Sequence, residues 1–114
     1  MFVGVSSIYG VPGGCDAGPV QVAVRMIGGK WKLLILTELD TLGVLRFKEL
    51  QRRLRPISQK ALTRALRELQ SDGLVGRTSF SEMPLRVEYR LTDRSWSLLP
   101  ILAELREWVQ RLPS

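Results

Sequence analysis

The chain has 114 residues, 17 Lys+Arg against 11 Asp+Glu, one cysteine and no histidine. The length suits one compact domain and leaves no room for a second; without histidine there is no Ser-His-Asp or Cys-His pair, no imidazole proton shuttle and no His-containing zinc site. One cysteine excludes an intramolecular disulfide and any CxxC pair, and the formal charge of +6 points toward an anionic partner.

Residues 1–18 read as a flexible N-terminal arm, or as a start-site artefact, and 19–112 as the folded domain. The first fourteen residues carry no charge, and Gly, Pro and Ser interrupt their apolar side chains, unlike a secretory signal. No later stretch is apolar enough for a membrane span, because Arg25, Lys30, Lys32, Glu38 and Asp40 interrupt the first half. A soluble, cytoplasmic protein without membrane contact is expected.

Pro19 suits the first position of a helix that runs to Ile27 and ends at Gly28-Gly29. The run WKLLILTEL is apolar on nearly every side, which predicts a short helix buried in the middle of the fold, with only Lys30, Lys32 and Glu38 reaching water and Trp31 in the core. Thr41 to Arg46 reads as a turn into a short extended piece. In FKELQRRL the spacing of Phe47, Leu50 and Leu54 predicts two helical turns that bury this stripe and expose Lys48, Arg52 and Arg53. Pro56 stops that helix and forces the chain to turn.

Ser58 can cap a new helix. Its apolar face is Ala61, Leu62, Ala65, Leu66 and Leu69, its outer face is Gln59, Lys60, Thr63, Arg64 and Arg67, and Gly73 supplies the stop. Two short helices joined by a tight turn form a helix-turn-helix. LVGRTSF and the alternating RVEYRL then read as a hairpin, the wing of a winged-helix domain, with Ser81 to Leu85 as its loop and Arg86 at the base of that loop. Asp93 to Leu112 reads as one more helix, which Pro100 either bends or truncates to a later first turn. Leu98, Ile101, Leu105, Trp108 and Leu112 step by 3 and 4, and Leu102, Val109, Leu99 and Trp96 widen the stripe beyond what a small domain would bury on itself. This predicts a homodimer interface in which residues 19–27 can share. The expected fold is therefore mainly α with a small β-wing, a winged helix-turn-helix with N- and C-terminal dimerisation helices.

The charge is concentrated. Arg46 to Arg67 holds eight basic residues and the single acid Glu49, a net +7, while nine basic and ten acidic residues elsewhere leave −1. A solvated helix face mixes its signs to form i,i+4 pairs. A segment that forgoes such mixing is better explained by an external polyanion than by a surface merely kept soluble, and with a helix-turn-helix the expected polyanion is double-stranded DNA.

Gly28-Gly29-Lys30-Trp31, Leu33-Leu34-Ile35-Leu36, Arg46-Phe47, Glu49-Leu50, Ile57-Ser58-Gln59-Lys60, Leu62-Thr63-Arg64, Leu66-Arg67-Glu68-Leu69, Asp72-Gly73-Leu74-Val75, Arg86-Val87-Glu88-Tyr89, Leu91-Thr92 and Leu98-Leu99-Pro100 together resemble the HxlR-type winged helix-turn-helix regulators, in order and over roughly Pro19 to Val109. The resemblance implies a prokaryotic, homodimeric transcription regulator on a roughly palindromic operator. The sequence departs from the family pattern at three points. Gly18 stands where members carry a cysteine that some use as a sensor; the wing has Pro84-Leu85 instead of two prolines; Arg94-Ser95 replace a leucine and a glycine. Cys15 is thus an incidental thiol or a redox sensor displaced by three residues.

On the helix after Ser58, base reading falls to Gln59, Lys60, Thr63 and Arg64, with Ser58 on a phosphate or base edge at the helix start. Arg67, Arg52, Arg53, Lys48, Lys30 and Lys32 are candidates for phosphate contact, and Arg86 for the minor groove. Arg64 and Arg67 could instead pair with Glu68. The rival function is a winged helix that binds protein and not DNA, which would suit an acidic or mixed helix face. Catalysis is not expected: Gly28-Gly29-Lys30-Trp31 lacks the earlier glycine and the Ser/Thr of a P-loop, and the carboxylates are scattered. No cofactor or metal is called for.

Overall fold

The computed structural model describes residues 18–113. The expected arm before Gly18, with Cys15, lies outside them. Helix α1 (Pro19–Ile27) begins at its proline, and the backbone N–H of Gly18 donates to Gln21 Oε1 at 3.3 Å. It ends at Gly28, whose N–H bonds the Val24 carbonyl at 2.6 Å; a Cβ there would lie 2.3 Å from that oxygen, so only glycine fits.

Helix α2 (Lys32–Leu42) crosses the middle of the fold and buries Ile35, Leu36 and Leu39. It is more one-sided than its composition suggests. Leu34 and Leu42 face water, whereas Lys32, expected to reach water, is buried. The reason is that Lys32 has internal partners, described below, and a paired ammonium tolerates burial that an unpaired one does not.

Strand β1 (Val44–Arg46) leads into α3 (Phe47–Arg53), whose Glu49 carboxylate accepts from the Arg46 backbone N–H at 2.8 Å. Leu50 and Leu54 are buried, and the Ile57 N–H bonds the Leu54 carbonyl to close the turn into α4 (Gln59–Ser71). Ser58 caps α4 as expected, its Oγ accepting from the Ala61 N–H at 3.0 Å. Leu62, Ala65, Leu66 and Leu69 form the buried face. The helix stops in a Schellman arrangement: Leu74 N–H bonds the Leu69 carbonyl, Gly73 N–H bonds that of Gln70, and Gly73 has φ +76.

Strands β2 (Val75–Phe80) and β3 (Arg86–Leu91) form the hairpin, and β1 adds to β3 on the other side, so the antiparallel sheet has the order β1-β3-β2. Leu45 and Arg77 both lie opposite Tyr89. One face of the sheet, including Leu45, Val75 and Tyr89, closes the core formed by α2, α3 and α4, with Val87 and Leu91 packed against it.

The single helix expected over Asp93 to Leu112 is instead two, α5 (Asp93–Trp96) and α6 (Leu99–Gln110). Pro100 sits in the first turn of α6, where its missing N–H has no consequence; inside a continuous helix its ring would meet the Trp96 carbonyl. Arg94 and Ser95, where the family pattern is not followed, are both structural. Arg94 Nη1 donates to the Asp72 carbonyl at 2.9 Å, and Ser95 is fully buried, its N–H directed at Thr92 Oγ1 and its Oγ accepting from the Thr92 N–H.

Candidate nucleic-acid interface

The outer face of α4 follows from its 3.6-residue period. With Leu62, Ala65, Leu66 and Leu69 held in the core, Gln59, Lys60, Arg64 and Arg67 must point outward, with Thr63 half-buried between them. Among the described residues no ion pair engages Lys60 or Arg67 on this helix, nor Lys48 or Arg52 on α3. Lys48, Arg52 and Arg55 line one shallow depression beside Ile57. Lys30 lines another with Ser58, Lys60 and Arg64, its ammonium 4.8 Å from the centre of the Trp31 ring. Cations from α3, α4 and the α1–α2 junction therefore flank one exposed helix.

The remaining expected cations are occupied. Lys32 Nζ lies 2.9 Å from Glu68 Oε1 and donates to the Arg25 carbonyl at 3.1 Å, in the last turn of α1. Arg53 Nε is paired with Glu38. Arg86 stacks on Phe80, 4.0 Å from the ring centre, with its Nη2 2.9 Å from Glu82 and its Nε 3.7 Å from Glu88. Arg64 is intermediate. Its Nε bonds Glu68 Oε2 at 3.2 Å while the side chain remains 82% exposed. Glu68 thus receives two cations, and the hydrogen bond from Lys32 first, then that from Arg64, holds its carboxyl below the ordinary range.

Two cations fall within this surface without having been assigned to it from sequence. Arg55 stands in the turn before Pro56. Arg77 on β2 lines the cleft between α4 and the sheet with Gln59, Thr63 and Arg67. The +7 segment already contained Arg55; Arg77 could be found only from the register that sets it opposite Tyr89.

Exposed apolar side chains cluster elsewhere, on α6 and α1. On α6, Ile101, Leu105, Trp108 and Val109 are each about half exposed, and Leu112 follows just beyond it; on α1, Val20 is 75% and Val24 59% exposed. Leu98 and Leu102 lie toward the protomer's own interior, with Leu98 packed on the core, so the stripe read from sequence divides into an inner and an outer edge. Among the described residues no helix is long and apolar enough to cross a membrane, and no cluster of His, Cys, Asp or Glu could hold a metal.

A family model described as HxlR-like helix-turn-helix matches residues 26–113, nearly all of the described chain. The chain belongs to this HxlR-like family. A relative in Methanothermobacter thermautotrophicus, an uncharacterised HTH-type transcriptional regulator, is 48% identical over 116 residues, covering 95% of this chain and 88% of the relative. Among solved structures, the HTH-type transcriptional regulator YtcD superposes with a TM-score of 0.79 at 41% identity, covering 82% of this chain and 95% of that one. The reduced form of the redox regulator HypR superposes with a TM-score of 0.77 at 39% identity, over 82% and 91% of the two chains. This HxlR-like protein is accordingly a transcriptional regulator of the winged helix-turn-helix type, and its relatives are regulators, not enzymes.

Proposed function

We propose that the protein binds duplex DNA in the cytoplasm as a homodimer, on an operator of two inverted half-sites. The observation that carries this reading is the outer face of α4, where Gln59, Lys60, Arg64 and Arg67 stand exposed on a capped helix of 13 residues. Such a helix fits the major groove, where arginine or lysine pairs with guanine O6/N7 and glutamine with adenine N6/N7. Gln59, Lys60, Thr63 and Arg64 read bases in this account, with Ser58 at the phosphate beside the helix start. Lys48, Arg52, Arg67 and Lys30 hold phosphates, joined by Arg55 and Arg77.

Lys32, buried against Glu68, holds no phosphate, and Arg53 is a weaker phosphate contact than its charge suggests, because Glu38 faces it. Arg86 reaches the minor groove only by leaving Glu82 and the Phe80 ring. The outer edge of α6, with Val20 and Val24 of α1, forms the dimer contact. In the dimer the two α4 helices lie about 34 Å apart, one turn of B-DNA.

Selection of bound duplexes from a random pool tests the proposal. Inverted half-sites with centres about 10 base pairs apart are expected. Retention of duplexes without sequence enrichment would sink it and favour the protein-binding alternative.

A further inference from the structure

Arg64 and Lys32 share one carboxylate. Glu68 turns Oε1 to the buried Lys32 ammonium at 2.9 Å and Oε2 to Arg64 Nε at 3.2 Å, while Lys32 is itself anchored on the Arg25 carbonyl of α1. A chain of charge-assisted contacts therefore runs from α1 through α2 to the exposed face of α4. An arginine side chain carries many rotamers, and fixing it on binding costs free energy. Its guanidinium is a rigid planar fork, so a bond at Nε orients the whole plane and leaves both terminal amino groups free.

Resting on the DNA-binding reading above, we propose that Glu68 is a positioning residue for base recognition: it holds the Arg64 guanidinium by Nε so that the two terminal amino groups are presented to guanine O6 and N7, and Lys32 is the buried counter-charge that holds Glu68. Glu68 touches no base and Lys32 touches no DNA. Lys32 also supplies a second positive charge, beside that of Arg64, to a carboxylate that stands close to phosphates. The arrangement accounts for an acid on the DNA-facing side of a helix whose other outward charges are basic, and for a lysine buried beneath that helix.

The test uses the full-length protein, the duplex recovered by selection, and the same duplex with each G·C pair reversed in turn. Arg64→Ala should abolish the preference at one G·C pair. Glu68→Gln, an isosteric change at a part-exposed position, should lower the same preference by roughly tenfold, without weakening binding to a random duplex, since a negative charge has been removed. Lys32→Met should lower it as well, and should add nothing in a Glu68→Gln background. Thermal melting of each variant confirms that it is folded. A wild-type preference in Glu68→Gln, alongside its loss in Arg64→Ala, overturns the positioning role alone. So does equal tightening on every duplex by Glu68→Gln. If Arg64→Ala itself keeps the preference, the assignment of the reading face fails, and the positioning role with it.

Discussion

The outer faces of α4 and α6 are both exposed, yet they expose opposite chemistry. On α4 the outward residues are Gln59, Lys60, Arg64 and Arg67; on α6 they include Ile101, Leu105, Trp108 and Val109. The buried face of α4 fills the core, whereas no residue of α6 is fully buried. A helix that already has its core contacts leaves its second face free for a ligand. A half-exposed tryptophan among half-exposed aliphatic residues is costly in water, which is the ground for the proposed dimer contact on α6. In that proposed dimer a second copy of the chain would supply an equivalent apolar face, and two-fold symmetry would pair the two α4 faces.

The largest expected effect comes from placing charge in the apolar face. Leu105→Glu combined with Trp108→Glu should convert a dimer into a monomer in sedimentation and lower operator affinity by roughly a hundredfold or more, as single hot-spot truncations already cost about 2 kcal/mol. A wild type that sediments as a monomer at micromolar concentration would overturn the proposed dimer contact on α6. Next, Arg64→Ala should remove about 1–3 kcal/mol of discrimination at one base pair.

Arg52→Ala should weaken all duplexes alike and reduce the slope of log affinity against log salt by about 1, measured by titration at several salt concentrations. Arg53→Ala should change that slope less, because Glu38 already faces the guanidinium. Ser58→Ala removes the cap of α4 and should cost about 1 kcal/mol in urea unfolding.

The smallest effect concerns acid. Because the Glu68 carboxyl titrates below its ordinary value in the folded protein, its stabilising contribution is complete above that ordinary value and disappears as the pH falls through the depressed one. The urea midpoint of wild type should therefore fall slightly more on acidification than that of Glu68→Gln. Equal losses in the two proteins would show that Lys32 and Arg64 do not hold Glu68 in solution.

Much of this arrangement is legible in the sequence. Pro19, Ser58, Gly73 and the apolar spacing of α4 mark elements that the structure contains, since capping, turn geometry and periodicity act over a few residues. The concentration of positive charge between Arg46 and Arg67 is equally local. The break between α5 and α6 is half legible: Pro100 announces it, but whether proline bends a helix or restarts one depends on the packing of Leu98 against the core.

Local sequence sets the elements, the two amphipathic faces and the region of positive charge. Which of those charges remain free depends on how the elements pack. Lys32 meets Glu68 across 36 positions and Arg53 meets Glu38 across 15, while Arg86 is enclosed by Glu82, Glu88 and Phe80 where the hairpin meets its loop. No periodicity encodes such pairs. They exist because α2 brings Lys32 to α4 and Glu38 to α3 and because strand register sets Arg86 and Glu88 on one face, and Coulomb attraction at these distances depends on separation in space, not along the chain.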